Sequence, residues 1–330
     1  MTPLAPTTTL PHVVVLGGGP DAERNVSLTS ARFVAEALQS AGAFRVTNLT
    51  IDRLSQAEVR AIDADVFFPV LHGLWGEGGP LQELLEADGR PFVFSGSRAS
   101  RLAMDKVATK FAALSAGIPT TPTHVLDLRD SSCPLPFPVV VKPVHEGSTI
   151  GLHVVHSAAE WAAARRAILD DDAARQASGA PARSYMIEPK ITGAVQGGVA
   201  RRARELTVGI LDGLALPIIE IVPAGDLYDY EAKYTRSDTQ YLFDTALPAG
   251  VAERIRRDSE VLARAIGVRH AARADFMLDA DGTPWLLEIN TIPGFTDHSL
   301  VPKAAARAGI PMPQLCARLV EMARRDAAHR

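Results

Sequence analysis

Between residues 270 and 300 the sequence reads HAARADFMLDADGTPWLLEINTIPGFTDHSL. Two runs of alternating polar and apolar residues flank Asp279, Ala280, Asp281 and Gly282, the signature of a β-hairpin. Strand side chains alternate between faces. Arg273 and Asp275 therefore share one face, while Ala274, Phe276 and Leu278 take the other; in the second run Glu288 and Asn290 oppose Leu287 and Ile289. The polar faces coincide and offer two carboxylates, an amide oxygen and a guanidinium. Such hard oxygen ligands suit Mg²⁺, which binds through one or two carboxylates together with substrate phosphates. Asp275, Glu288 and Asn290 thus suggest a metal-nucleotide site; the alternative is a solvated face carrying an Arg-Asp pair.

A second chemical stretch follows Val139, Val140 and Val141: Lys142-Pro143, then His145-Glu146-Gly147-Ser148-Thr149-Ile150-Gly151, then an apolar strand over 152–155. A strand ending in Lys beside a Gly/Ser/Thr loop offers N–H donors, hydroxyls and an ammonium to a polyphosphate. It is not a Walker loop, because no helix follows; a hairpin loop with one surface Lys is the plain alternative. His72-Gly73 comes directly after an apolar strand at 66–71, at the carboxyl end where open α/β sheets place ligands. A lone His there is equally readable as a structural hydrogen-bonder.

The elements that must position these residues alternate. Residues 12–16 form an apolar run ending in Gly17, Gly18 and Gly19, followed by helical spacing over 25–39. The glycines do not match the dinucleotide fingerprint. Strands at 44–51 and 66–71 and helices at 56–62 and 81–87 imply a parallel sheet. A helix is expected over 100–116, stopped by Gly117 and Pro119, and Ser157 with Glu160 opens another running to about Leu169. Residues 170–181 read as a surface connection, and 193–204, GAVQGGVARRAR, as a mobile surface loop. Asp212-Gly213 turns between strands. Residues 226–241, dense in Tyr, Asp and Lys, read as a long functional loop of the kind that forms lids. A helix over 251–266 precedes the opening hairpin, and the tail over 301–328 is largely helical.

Composition narrows the class. At roughly 100 to 200 residues per domain, the 330 residues make two or three domains. A hydrophobic content of 47% with 22% charged supplies a sizeable core. Net charge is -4, so no basic field calls for nucleic acid. Cys133 and Cys316 match no metal or redox spacing and are expected to be ordinary thiols in a reducing cytosol. Residues 1–12 show no signal-peptide pattern and read as a disordered leader, and no run approaches membrane-spanning length.

The order of the pieces carries a resemblance: Met104-Asp105-Lys106, Val141-Lys142-Pro143, Glu146-Gly147-Ser148, the stretch from Tyr228 through Lys233 to Tyr234, Arg273-x-Asp275, Glu288-x-Asn290-Thr291-x-Pro293-Gly294, and His298-Ser299-Leu300. With Glu23 in AERNVSL and Leu71-His72-Gly73, the chain resembles the D-alanine:D-alanine ligases of the ATP-grasp superfamily from about Val13 to Leu319. The resemblance implies an α/β (α+β) ATP-grasp fold: a Rossmann-like parallel-sheet domain at 13–97, a central ATP-grasp domain at 98–189 and a C-terminal one at 190–330. It also implies a cytoplasmic homodimer acting on D-alanine and ATP for peptidoglycan precursors, without nucleic acid or membrane; the alternatives are another ATP-grasp carboxylate-amine ligase with a different amino or hydroxy acid acceptor, or a catalytically silent ATP-binding homologue.

By that resemblance Asp275, Glu288 and Asn290 would hold two Mg²⁺, replaceable by Mn²⁺. Lys106, Lys142 and Lys233 would neutralise phosphates, and Gly147, Ser148, Glu188, Ile191 and Glu205 would complete the ATP site. Glu23 would bind the first D-alanine's ammonium, with His72 beside the substrates; Gly294, Ser299 and Leu300 would receive the second one's carboxylate. Arg273 would stabilise charge on an acyl phosphate. Ser148 and Tyr234 would hydrogen-bond with Glu23 to close a lid, and Tyr234 favours an amine over a D-lactate acceptor. Departures are visible too. Pro189 stands where the family has Lys, so that role is lost or passes to Lys190; the 193–204 segment lengthens the link to Glu205; Asn25 replaces an acidic residue, and Ile292 a smaller one.

Overall fold

The computed structural model describes residues 10–196, 199–224 and 238–328. Strands β1 (His12–Gly18), β2 (Arg45–Ile51) and β3 (Val66–Pro69) form a parallel sheet of order β2-β1-β3. Helices α1 (Arg24–Ala41), α2 (Gln56–Ala61), α3 (Gly73–Gly76) and α4 (Pro80–Asp88) connect and cover it. β1 is buried throughout, as expected of a parallel strand covered on both faces. The glycines after it serve packing: a Cβ on Gly17 would lie 2.5 Å from that of Ala31 on α1.

The helix expected over 100–116 is two helices, α5 (Ser97–Met104) and α6 (Lys106–Ser115). Asp105 breaks it: its backbone is extended, and its carboxylate accepts the Ala108 N–H at 2.9 Å, the N-cap geometry that Asp favours over helix continuation. A second, antiparallel sheet follows from β4 (His124–Val125), β5 (Val139–Pro143), β6 (His153–Val155) and β7 (Tyr185–Pro189), in the order β4-β7-β5-β6. Between β6 and β7 runs α7 (Ala158–Ala177), which does not stop near Leu169. The Asp-rich stretch taken for a connection also holds Ala, Arg and Gln, good helix formers, and the helix ends at Ser178-Gly179.

Residues 193–204 are likewise no loose loop: β8 (Thr192–Gln196) and β9 (Val199–Arg202) pair antiparallel, with an irregularity between Thr192 and Val195. Gly193 permits it, since a Cβ there would meet the Arg202 carbonyl at 2.4 Å. β10 (Arg204–Leu211), β11 (Leu214–Val222), β12 (Gln240–Leu242), β13 (Ala271–Leu278) and β14 (Pro284–Asn290) form the third sheet, ordered β12-β11-β10-β13-β14. Most of the expected long loop, residues 225–237, lies outside the described residues; its end pairs with β11 as β12 rather than remaining irregular. Helices α8 (Val251–Ile266), α9 (Leu300–Arg307) and α10 (Met312–Ala328) complete the chain. Among the described residues no helix is long and apolar enough to cross a membrane.

One face of the first sheet packs locally, Val14, Leu16 and Phe67 against Val59, Leu81 and Leu85. The other shares a core with the far end of the chain: Val13, Phe68 and Phe94 cluster with Phe295, Leu315 and Leu319. Phe68, Phe94 and Phe295 meet edge to face, with centroids 5.6, 6.1 and 5.5 Å apart. α5, α6 and α8 cover the third sheet.

His270 ties these layers. Its Nδ1 accepts the Phe94 N–H at 2.8 Å, and Nε2 lies 3.0 Å from Asp326 Oδ2 on α10. Burial, with Arg269 beside it, lowers its pKa to about 4 against the pull of Asp326. The neutral ring is the one that fits, so stability is full above the ordinary histidine value near 6.5 and falls as pH drops through about 4. By linkage that loss is on the order of 3 kcal/mol. Urea midpoints at pH 7 and 4.5 should separate more for the parent than for His270→Asn; equal separations would refute the assignment.

Candidate active site

The hairpin β13–β14 sets its polar residues in register: Asp275 opposes Glu288, and Arg273 opposes Asn290. Opposed residues on one face hold their Cβ atoms about 4.5–5.5 Å apart. Arg273 forks onto Asp275, with Nε 3.0 Å from Oδ1 and Nη2 2.9 Å from Oδ2. Thr207 on β10 donates to Asp275 Oδ1 at 2.5 Å. Lys106, the first residue of α6, lies 3.4 Å from Glu288 Oε2 and donates to the Glu146 carbonyl at 2.5 Å. Asn290 Oδ1 accepts the Ile292 N–H at 2.9 Å.

One side chain departs from simple alternation. A bulge follows Asp275, whose next residue Phe276 pairs with Leu286. The extra residue, Leu287, therefore leaves the core face expected for it and lines a cavity, while Leu286 and Ile289 stay buried. A bulge reverses the alternation locally.

That cavity, of about 440 Å³, lies between the second and third sheets. Lys106, Lys142, Gly147, Ser148, Glu188, Ile191 and Glu205 all line it, as do Lys190, Arg273, Asp275, Glu288 and Leu300. Asn290 is not part of its wall, and Lys233 and Tyr234 lie outside the described residues. Two expected nucleotide contacts are already engaged. The Glu188 carboxylate is buried against Lys110 at 2.6 Å, Lys142 at 2.5 Å and Thr121 at 2.8 Å. Glu205 pairs with Arg202 of β9 at 3.0 Å. Arg201 and Arg202 border the cavity, so the arginine-rich hairpin belongs to the site.

The glycine loop reaches from the second sheet to the first. Ser148 and Thr149 adopt positive φ, 50° and 63°, and Ser148 Oγ donates to Glu23 Oε1. Arg183 braces the loop, binding Glu146 Oε1 and Asp171 Oδ2 at 2.8 Å each. Glu23 is buried at the start of α1, with His72 beside it. Burial lowers the His72 pKa, partly opposed by the Glu23 carboxylate. No hydrogen-bond partner meets its Nε2 among the described residues. Glu77 completes this buried group: its carboxyl is pushed well above the ordinary range by burial first and by Glu23 second. At the far side, Ser299 precedes α9 and its Oγ accepts the Thr296 N–H at 2.9 Å. A Cβ on Gly294 would stand 2.9 Å from that oxygen. A helix N-terminus at Leu300 favours a carboxylate.

Sequence reasoning missed Glu77, Lys110, Thr121, Thr207 and Arg202. Glu77 follows His72 within HGLWGEGG, and Lys110 lies one helical turn beyond Lys106; those were the available signals. Among the described residues no group of three or more His, Cys, Asp or Glu side chains gathers for a metal. Paired carboxylates beside a lysine-lined cavity nonetheless suit a hard cation that takes its remaining ligands from phosphate and water.

Two antiparallel sheets enclosing a cavity, set beside a parallel-sheet unit, define an ATP-grasp protein. The structure superimposes on D-alanine:D-alanine ligase from Bacillus anthracis complexed with ATP, with a TM-score of 0.78 and 28% identity over 98% of this chain and 99% of that one. The family model described as D-ala D-ala ligase C-terminus matches residues 194–321. Relatives over most of both chains are D-alanine:D-alanine ligases of Anaeromyxobacter sp. (strain Fw109-5), 39% identical over 94% of this chain and 96% of that protein, and of Stutzerimonas stutzeri (strain A1501), 43% identical over 92% and 91%. The chain belongs to the D-alanine:D-alanine ligase family.

Proposed function

We propose that this chain joins two D-alanine molecules, with ATP becoming ADP and phosphate, to supply D-alanyl-D-alanine for peptidoglycan precursors. The observation that carries the reading is the sharing of residues between two sites. Ser148 and Arg273 line the cavity, and the same residues adjoin the buried group around Glu23 and His72. A phosphate donor and an amino acid would therefore meet there.

A carboxylate is a poor electrophile. In the proposed sequence the first D-alanine's carboxylate oxygen attacks the γ-phosphorus of ATP, and the bond to the β-phosphate oxygen breaks, leaving ADP. The amine of the second D-alanine then attacks the acyl phosphate carbon. Inorganic phosphate departs as the peptide bond forms, and the amine loses its proton. Phosphoryl transfer depends on positioning and charge neutralisation, which suits Lys106 and Lys142 on the cavity wall and Lys233. Glu23 would hold the first ammonium, and His72, kept neutral by burial, offers its unpartnered Nε2 as an acceptor. Arg273 would stabilise negative charge as the tetrahedral intermediate forms. Ser299, Gly294 and the first N–H groups of α9 at Leu300 would receive the second carboxylate. Glu188 and Glu205 would act through Lys142 and Arg202, with Gly147 and Ile191 as cavity wall. Asp275, Glu288 and Asn290 would hold Mg²⁺, or Mn²⁺ in its place, which would neutralise phosphate charge.

Ser148 and Glu23 would close over the reaction with Tyr234, because an exposed acyl phosphate hydrolyses. The enzyme would act in the cytoplasm as a homodimer, its units being residues 13–97, 98–189 and 190–330. Phosphate release from purified protein with Mg²⁺ and ATP tests the reading, using D-alanine, L-alanine, or D-alanine with D-lactate, and mass identification of the product. D-alanine alone should yield the dipeptide; silence with D-alanine despite ATP binding would overturn the substrate assignment.

A further inference from the structure

Behind the cavity wall lies a buried charge cluster that the roles above leave unexplained. Lys110 on α6 is 3% exposed. Its ammonium has an acceptor for each proton: Glu188 Oε2 at 2.6 Å, Thr121 Oγ1 at 2.7 Å and the Thr121 carbonyl at 3.1 Å. Glu188 on β7 is equally enclosed, and its other oxygen, Oε1, lies 2.5 Å from Lys142 Nζ. Thr121 closes the group by donating to Glu188 Oε2 at 2.8 Å. Of the three charged side chains, Lys142 and Glu188 reach the cavity, and Lys110 does not.

The charges do not cancel. Two ammonium groups share one carboxylate, so the cluster carries one net positive charge. Burial pushes the Glu188 carboxyl up, but Lys142 and Lys110 more than reverse this and hold it at about 2. Burial and the neighbouring Lys142 lower the Lys110 pKa, while Glu188 raises it. A lysine enclosed this deeply costs desolvation energy that a plain apolar side chain would avoid. Its position explains the charge count. If Lys110 were apolar, Glu188 and Lys142 would form a self-neutralised pair, and Lys142 would be held by both carboxylate oxygens' full charge.

We propose that Lys110 is a positioning residue for nucleotide binding: by engaging one oxygen of Glu188 it leaves Lys142 only half neutralised, so the cavity wall keeps a positive charge for a phosphate oxygen. This rests on the reading of the cavity as an ATP site. Lys110 touches no phosphate itself; it acts through Glu188 on Lys142. Charges in a poorly solvated wall are weakly screened, so one unit matters there far more than on the surface.

Equilibrium binding of ATP, and of adenosine as the phosphate-free control, tests this in the parent, Lys110→Met, Lys110→Gln and Lys110→Arg. Removing one unit of nearby charge should weaken ATP binding by Lys110→Met about tenfold and leave adenosine within about twofold. Lys110→Arg keeps the charge and should bind ATP like the parent. Lys110→Gln removes the charge but keeps a polar side chain, and should also weaken ATP binding about tenfold. It leaves Glu188 and Lys142 paired with each other and a polar group facing Thr121, so it reports even if Lys110→Met does not fold.

Unchanged ATP binding by Lys110→Met overturns the proposal. So does a loss shared equally by adenosine, which would mean general disruption, or ATP binding by Lys110→Gln within about twofold of the parent. A parent protein that binds no ATP would instead remove the nucleotide reading on which this one stands.

Discussion

Glu288→Gln is expected to lower turnover about 10³-fold or more at saturating ATP and D-alanine, while thermal unfolding stays within about 2 °C of the parent. The two halves of that expectation come from the same position. Glu288 sits on the polar face of β14 opposite Asp275, with its side chain 28% exposed, and contributes nothing to the apolar core. Gln keeps its size and one carbonyl oxygen and removes only the charge. On the proposed reaction that charge anchors the metal ion that neutralises the phosphates, and its loss falls on the transition state. Calorimetric Mn²⁺ titration of the ADP-bound variant gives a readout independent of turnover and should show weakened metal uptake. A variant with near-normal turnover would take Glu288 out of the metal site.

Phe295→Ala should cost about 3–5 kcal/mol of unfolding free energy, the usual cost of truncating a buried aromatic ring. Phe295 is fully buried and is one of three rings in mutual edge-to-face contact; such contacts each add about 0.5–1.5 kcal/mol beyond the area they bury. Phe68 and Phe94 belong to the first sheet's side of that core, and Phe295 follows the β13–β14 hairpin, so the cavity left would loosen the layer that joins them. Urea unfolding would measure the loss. A change below about 1 kcal/mol would mean that the neighbours collapse into the space.

The hairpin face was legible because alternation needs only a strand and its turn. Arg273, Asp275, Glu288 and Asn290 share a face on that rule alone, and the register places them opposite one another. Leu287 was not legible, since a bulge depends on how two strands meet rather than on the residues of either. The parallel order of the first sheet followed from the alternation of strands and helices, whereas the break at Asp105 hid within a run of good helix formers. The 193–204 segment misled through composition: glycine and arginine suggest solvent, yet Gly193 is what lets the hairpin backbones approach. Lys110 and Glu77 were invisible for another reason. Lysine and glutamate default to the surface, and only the tertiary structure supplies the partners that make their burial tolerable.

The shared core has a consequence for synthesis on the ribosome. One face of the first sheet can be covered by helices that emerge soon after it, since Val59, Leu81 and Leu85 lie close in sequence. The opposite face, with Val13 and Phe68, finds Leu315, Leu319 and Val320 only when α10 has been made. Strand β1, made well before α10, is thus among the last elements to finish packing. Until α10 arrives, an apolar surface stands exposed on the nascent chain, the situation in which holding chaperones are needed. A fragment ending before α10 should therefore aggregate, even though every strand of the first sheet is present in it.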